Sequence, residues 1–445
     1  MLPALVLMLL ALAPVVASAG VDASVCGSGA AGSALNCSYN GVCKAGACVC
    51  STGWRGAHCE QLDLLPAEGS GTTFTGATAG LNLLSEAGNW TSTWGGSVVP
   101  GRDGKFHMFA AMMLNQCGIN AWLQNSVVLH AVSATATGSY SPRQIVAPVF
   151  SHEPIAAIAP TGETVLFYTT TVQLHRLPTV CKTCTDCVGG NSSMDCAPDW
   201  DARGRDWSVP LPTYMTYTKD ETMETGWSKP VLLPSNQLGI DPSVDTNFAP
   251  VILANGSLVG VTRTASIVFA ADWRDPKTYR CIAHPDPKTE VPDFGEDPNI
   301  WVDSNARFHI LTHAHGGRHF FSADARTWHP APTGPQTQAY PKSANFTDGS
   351  AAPFGRRERP HLVFDANLRP VALTSAVTMP PTKSVGHPKQ LERWPDASFT
   401  FLQPIRGSGG SGDAEEQEEE AAPGQLDAAG AMRTRSVVPQ NIISA

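Results

Sequence analysis

Between residues 89 and 405 a strand–turn–strand unit recurs, and this repeat limits the fold more than any other feature of the chain. Clear copies begin at His152 (HEPIAAIAPTGETVLFY), Phe248 (FAPVILANGSLVGVTR), Glu296 (EDPNIWVDSNARFHILTH) and Glu358 (ERPHLVFDANLRPVALTSA). A weaker copy, GGSVVPGRDGKFHMFAA, begins at Gly95. Each clear copy places a polar or small residue before a proline, then an apolar run, a tight turn and a second apolar run. Short β-rich runs broken by Gly, Pro, Asn and Asp, with no sustained helical period, predict an all-β body. The turns begin at Asp103, Thr161, Asn255, Ser304 and Asp365, spaced by about 58, 94, 49 and 61 residues. A period of about 50–60 residues with one long insertion predicts a five-bladed β-propeller over 89–406, because each four-stranded blade needs neighbours to cover its faces. The segment SFTFLQPI from Ser398 alternates like a final strand. Two stacked sandwiches are the alternative architecture.

Proline has no N–H, so it is tolerated at the start of a strand or where a strand lacks a partner on that side. The innermost strand of a blade lines the axis, and residues just before each proline then point at the mouth of the central channel. These are His152 and Glu153, Asn247 to Ala249, Glu296 and Asp297, and Arg357 to Arg359. Only 16% of the chain is charged, so this convergence of ionisable groups is unusual.

By this blade pattern and its x-acid-Pro steps, the body resembles the five-bladed propellers of glycoside hydrolase families 43, 32 and 68. The resemblance implies an axial carbohydrate site with three carboxylates from inner strands of different blades. Glu153, Glu296, Asp297 and Glu358 are the carboxylates available for catalysis. His152, Asn247, Arg263, His313, Arg357 and Trp94 are the groups placed to bind substrate. Crowded carboxylates raise one another's pKa, which is how a general acid is kept protonated near neutral pH. The pattern departs from the family in the first blade, where Trp94-Gly95-Gly96-Ser97-Val98 offers no carboxylate. In the third blade Ala249 stands at the expected acid, with Asp245 nearby. The rival expectation is a structural network in which Arg263, Arg357 and Arg359 neutralise the same carboxylates.

No metal ligand is assigned and no cofactor is expected, although the family's habit of placing a calcium ion near the axis is kept in view. His309, His313 and His315 alternate along one strand and would face one way, as a transition-metal site requires, but core hydrogen bonding is the commoner role. Trp94, Trp122, Trp301 and Trp328 fall in or beside blade strands, where packing outweighs sugar stacking for any single indole. The turn Ser322-Ala323-Asp324-Ala325-Arg326-Thr327-Trp328 is similar to that of sialidase-type propellers, one residue short.

Six cysteines crowd residues 26–59, and the segment ends Cys48-x-Cys50-x5-Gly56-x2-Cys59. This resembles the EGF-like module. So short a segment cannot bury enough apolar surface to fold alone, and disulfides restrain its unfolded chain instead. The resemblance implies the pairing Cys26–Cys43, Cys37–Cys48 and Cys50–Cys59. Calcium-binding modules carry an acidic cluster before the first cysteine; here only Asp22 is acidic in that lead-in, so no calcium site is expected there. A protein partner could dock on this module, and residues 60–88 read as the linker to the propeller.

The N-terminus runs apolar from Leu2 to Val16 and ends Ala17-Ser18-Ala19, which reads as a signal peptide over 1–19. Twelve cysteines and five N-x-S/T sequons, at Asn36, Asn89, Asn191, Asn255 and Asn345, fit a secreted glycoprotein. No later segment approaches membrane-spanning length. A net charge of −9 argues against nucleic acid, which needs a basic face. Residues 407–445 open with GSGGSG and an acid block, and read as a disordered acidic tail. Cys181, Cys184, Cys187 and Cys196 in the long insertion suit two disulfides better than zinc, leaving Cys117 and Cys281 to pair across blades. No free thiol is expected. The chain thus reads as a secreted glycoprotein that acts on or binds an extracellular carbohydrate. The alternative is a non-catalytic adhesion or matrix protein that uses the EGF-like module and the propeller rim.

Overall fold

The computed structural model describes residues 26, 37–71, 80–84, 91–170, 210–313, 316–332, 338–365, 367–378 and 397–407. The EGF-like module contributes two hairpins, β1 (Gly41–Lys44) with β2 (Ala47–Cys50) and β3 (Trp54–Arg55) with β4 (Gln61–Leu62). Its three disulfides join Cys26 to Cys43, Cys37 to Cys48 and Cys50 to Cys59, as the resemblance implies. A two-residue strand, β5 (Gly80–Leu81), follows.

Five four-stranded antiparallel sheets then make the propeller. Blade 1 holds β6 (Thr93–Pro100), β7 (Phe106–Met113), β8 (Ser126–Ser133) and β9 (Ser141–Ala147). Blade 2 holds β10 (Ser151–Ile158), β11 (Thr164–Thr170), β12 (Thr213–Thr218) and β13 (Val231–Leu233). Blade 3 holds β14 (Ala249–Ile252), β15 (Leu258–Val261), β16 (Ile267–Ala270) and β17 (Arg280–Ala283). Blade 4 holds β18 (Asn299–Val302), β19 (Phe308–Thr312), β20 (Arg318–Ser322) and β21 (His329–Pro330). A hairpin, β22 (Ser343–Asn345) with β23 (Ala351–Pro353), precedes blade 5, whose own strands are β24 (Arg357–Phe364), β25 (Pro370–Thr378) and β26 (Ser398–Pro404). The fourth strand of blade 5 is β5, from the segment that reads as linker in the sequence. SFTFLQPI is therefore the third strand of the closing blade, and the ring is completed by an earlier part of the chain.

Both faces of a blade are covered, so its strands are buried throughout rather than alternately; every residue of β8 and β25 is buried. Between blades 2 and 3, Val165, Phe167 and Met215 pack against Phe248, Leu258, Val268 and Trp273. The next interface repeats the arrangement with Val259, Ile267, Ile300, Ile310 and Trp328. Trp328 is thus a packing residue.

The EGF-like module is docked on blades 4 and 5. Trp54 stacks on Trp301 with ring centroids 6.2 Å apart, and Leu62 N donates to Ala339 O at 2.9 Å. Two expectations about cysteines fail. Cys117 is disulfide-bonded, but not to Cys281, which is a free thiol. The two residues lie on different blades, Cys117 after β7 of blade 1 and Cys281 in the outer strand of blade 3. Cys181, Cys184, Cys187, Cys196, the signal segment, the tail beyond 407 and the sequons at Asn36, Asn89 and Asn191 lie outside the described residues. Asn255 and Asn345 are exposed. No described helix is long and apolar enough to cross a membrane.

Candidate functional site

One backbone feature builds the axial site. Near the start of each inner strand a residue adopts left-handed φ: Gly95 (68°), Glu153 (57°), Asn247 (41°), Asp297 (57°) and Arg359 (49°). In β6, β10 and β24 this residue falls at a register shift of the ladder, a bulge that re-aims the side chain. Left-handed φ is costly for any residue but glycine, by about 1–3 kcal/mol, and persists where the surroundings over-determine it. The five left-handed residues form a ring around the axis.

The ring corrects the reading of blade 3. Asn247, not Ala249, is the counterpart of Glu153, and Phe248 occupies the place held elsewhere by proline. The missing acid of blade 1 also finds a cause. A Cβ at Gly95 would lie 2.8 Å from Arg359 Nε, so glycine makes room for the guanidinium.

Arg359 Nη1 donates to Asp297 Oδ1 at 2.7 Å and lies 3.8 Å from Glu153 Oε1. Glu153 also accepts from Thr169 Oγ1 at 3.1 Å, from Asn247 N at 3.2 Å and from Asn247 Nδ2. Asp297 Oδ2 pairs with His313 Nδ1 at 2.9 Å. Toward the rim, Arg263 Nη1 is 2.6 Å from each oxygen of Asp245, and its Nη2 bonds Glu296. Arg356 binds Glu358 through Nε at 2.8 Å and Nη2 at 2.5 Å. Carboxylates from four blades thus surround one cavity of about 300 Å³, walled on one side by Trp94, Ile119, Asn120 and Trp122. Trp122 begins the short helix α1 (Trp122–Asn125), which sits between β7 and β8 and stacks its indole on His152 at 4.8 Å. Below the ring, Pro154, Pro298, Pro360 and His361 leave only about 10 Å³. The pocket is blind.

Burial, followed by the nearby Asp245 carboxylate, pushes Glu153 well above the ordinary carboxyl range. Burial and the adjacent Asp297 push Glu296 up as well, against Arg263 and His313. Burial would also raise Asp297, but Arg359 and the His313 hydrogen bond outweigh it and hold this carboxyl well below its ordinary value. Burial opposes protonation of His313, yet its bond to Asp297 wins and raises it. Side-chain exposure separates reachable from sealed groups: 29% for Glu296 and 16% for Glu358, against 7% for Asp297 and 5% for Glu153.

Several expected members are placed elsewhere. Arg357 turns away from the axis, because its guanidinium is taken up by Pro341 O, Ser343 O and Gln403 Oε1 between Tyr340 and Phe401. Trp94 lines the cavity, but Arg356 covers its ring at 4.6 Å. The half-buried Trp122 is the indole left to meet a ligand. His309 does not join His313. β19 ends at Thr312, so strand alternation no longer holds at residue 313, and His309 instead hydrogen-bonds His319 at 3.1 Å; His315 lies outside the described residues. Asp245, Arg356 and Trp122 are absent from the residues singled out for the site by sequence. Asp245 had a signal, since it stands two residues before the bulge.

Glu296, Asp297, His313 and Glu358 have ligand atoms within 4.8 Å of one another, as a cation site requires. Their three carboxylates are already matched by Arg263, Arg359 and Arg356. Arg263 and Arg359 are shared with Asp245 and Glu153, and the guanidiniums occupy the oxygens a dication would need, so the residues do not fit calcium as they stand.

A profile of the Teneurin-like EGF domain matches residues 35–62. No curated protein sequence matches the chain. Among solved structures, a Dyadobacter fermentans protein of unknown function aligns over 71% of this chain and 95% of its own, at 11% identity and TM-score 0.44. An α-L-arabinofuranosidase from Podospora anserina, in complex with cellotriose, covers 74% and 96% at 10% identity and TM-score 0.45. A family 117 glycoside hydrolase from Zobellia galactanivorans covers 76% and 91% at 11% identity and TM-score 0.44.

Proposed function

We propose that this is a secreted protein that binds the end of an extracellular carbohydrate chain in its axial pocket. The observation that carries the reading is the blind cavity itself, closed beneath by three prolines and walled by one accessible indole. A floor without an exit admits a chain end rather than a chain passing through. Trp122 offers an aromatic face to the C–H side of a sugar ring. Asn247 lines the same cavity, and its buried Oδ1 has no hydrogen-bond partner among the described residues, which suits a ligand hydroxyl. The three disulfides and the sequons support an extracellular address.

Hydrolysis is the second reading, favoured by the opposite pulls on two neighbouring carboxyls, Glu296 upward and Asp297 downward. Glu296 is also the more reachable, so it is the general acid of this reading. Against it, Asp297 is sealed by Arg359 and His313 and cannot touch a substrate without their moving. The test is a glycan array and an aryl-glycoside panel applied to the intact protein and to Trp122→Ala and Glu296→Gln. Binding predicts affinity lost in Trp122→Ala. Hydrolysis adds a fall of about a hundredfold or more in turnover for Glu296→Gln. An intact protein that neither binds nor cleaves any saccharide would overturn both readings.

A further inference from the structure

A cavity larger than the axial one lies off the axis. Where the EGF-like module meets blades 4 and 5, a cleft of about 510 Å³ opens between three turns. The module supplies one wall with residues 39–40, 51–52 and 54, the β18–β19 turn supplies another with residues 303–305, and the β24–β25 turn closes the third with residues 364 and 367–370. Its size is within the range of about 300–1,000 Å³ usual for ligand sites, and junctions between domains are where such sites gather.

The lining has a definite chemistry. Trp54 and Trp301, stacked nearly parallel at 19°, are both buried beneath the cleft, and the half-buried Tyr39 and Phe364 are the rings a ligand can reach. The rim is built from amides and hydroxyls, chiefly Asn40, Thr52, Ser304, Asn305 and Asn367. Two charged residues are present and they oppose each other, Asp303 and Arg369. Asp303 is occupied, accepting from Asn305 N at 2.9 Å and Arg307 N at 2.8 Å and lying 3.5 Å from His309 Nε2. A ligand therefore meets two partly exposed rings and many neutral donors and acceptors, with no net charge to select an ion.

The cleft is also preformed. Leu64 and Ile405 form a β-bridge beside it, and Asp63 accepts from Arg406 Nε at 2.8 Å. A Cβ on Gly53 would stand 3.0 Å from Pro370, so the module lies close against blade 5. Little ordering is left for a ligand to impose.

We propose that this cleft is a second binding site, for a neutral oligosaccharide. Sugar rings carry apolar faces that pack on aromatic rings such as those of Tyr39 and Phe364 and equatorial hydroxyls that pair with amides, and an uncharged saccharide loses nothing by the absence of a charged partner. The EGF-like module is then one half of a recognition site rather than a spacer. This proposal does not rest on the axial reading.

The test titrates the full chain with cellotetraose, xylotetraose and chitotetraose by calorimetry. A double variant, Asn305→Lys with Asn367→Lys, fills the mouth of the cleft from two exposed turns without touching the core. At least one tetrasaccharide should bind the intact protein, and its affinity should fall tenfold or more in the double variant. The same affinity should survive in Trp122→Ala, which disables only the axial pocket. Failure of all three sugars to bind at millimolar concentration would overturn the proposal. So would binding that the double variant leaves unchanged.

Discussion

The axial pocket and the junction cleft differ in how each is held together. In the first, buried arginines and carboxylates from different blades neutralise one another around a ring of strained backbone. The second is lined mainly by neutral side chains, with one acid and one base, and held open by stacked rings and a few backbone hydrogen bonds. A site made of mutually dependent charges perturbs the titration of its members and collapses when one is removed. A site made of neutral groups on turns tolerates change, and can be altered without cost to the fold.

Breaking one ion pair should therefore give the largest effect. Arg359→Met leaves Asp297 and Glu153 buried without their cation and should cost about 3–5 kcal/mol in urea unfolding. The cleft double variant, Asn305→Lys with Asn367→Lys, should change the same measurement by about 0.5 kcal/mol or less. Equal losses would erase the distinction between the two regions.

Trp54→Ala comes next. Trp54 is buried between the two modules. Truncating a core tryptophan costs about 3–5 kcal/mol, and the value here should reach only the lower end because the module keeps its disulfides. Limited proteolysis should show the module cut before the propeller; simultaneous cleavage would mean that the module does not move independently.

The pH dependence above pH 6 is a smaller effect and is expected chiefly at the axis. Glu153 and His313 both have folded-state pKa values above the ordinary 4.5 and 6.5. Each then stabilises the fold fully below its ordinary value, and that contribution is lost as pH rises through the raised one. Asp297 behaves oppositely, stabilising above its ordinary 3.8 and losing this as pH falls through its depressed value. Melting temperature should thus decline from pH 6 to pH 9, and less steeply in Glu153→Gln, where the amide replaces the protonated acid. An identical slope in the variant would remove Glu153 from the account.

The smallest effect concerns Cys281, whose thiol burial pushes up from its ordinary value and which touches His284 Nε2 at 3.3 Å. Native alkylation should label it, faster above pH 9, with no change in melting temperature. No label at Cys281 would show that it is bonded after all.

Much of the fold could be read from the repeat, because four of the five inner strands carry a proline near their start and four of the five turns carry glycine or asparagine. Blade 3 was misaligned for a physical reason: Pro250 lies beyond the bulge, and Phe248 fills the proline's place by packing on Phe167. The converging carboxylates were legible for the same reason as the blades. Two of their partners, Arg263 and Arg359, were legible as well; the third was not, since Arg356 and Arg357 are adjacent yet point into different surroundings. The cleft left no trace in the sequence at all. Trp54 and Trp301 are brought together only by docking of the module, and no spacing rule connects them.

The two-residue strand β5 has a consequence for how the protein is made. It leaves the ribosome early, yet its partners Thr400 and Phe401 follow roughly 320 residues later. At about 5–20 residues per second, the edge that will receive it does not exist for roughly 15–60 s. During that interval blade 1 has only one neighbour, and its apolar face toward blade 5 is open to other chains. The ring is then a late event of biosynthesis, and slowing the final stretch of translation should raise aggregation more than slowing any earlier one.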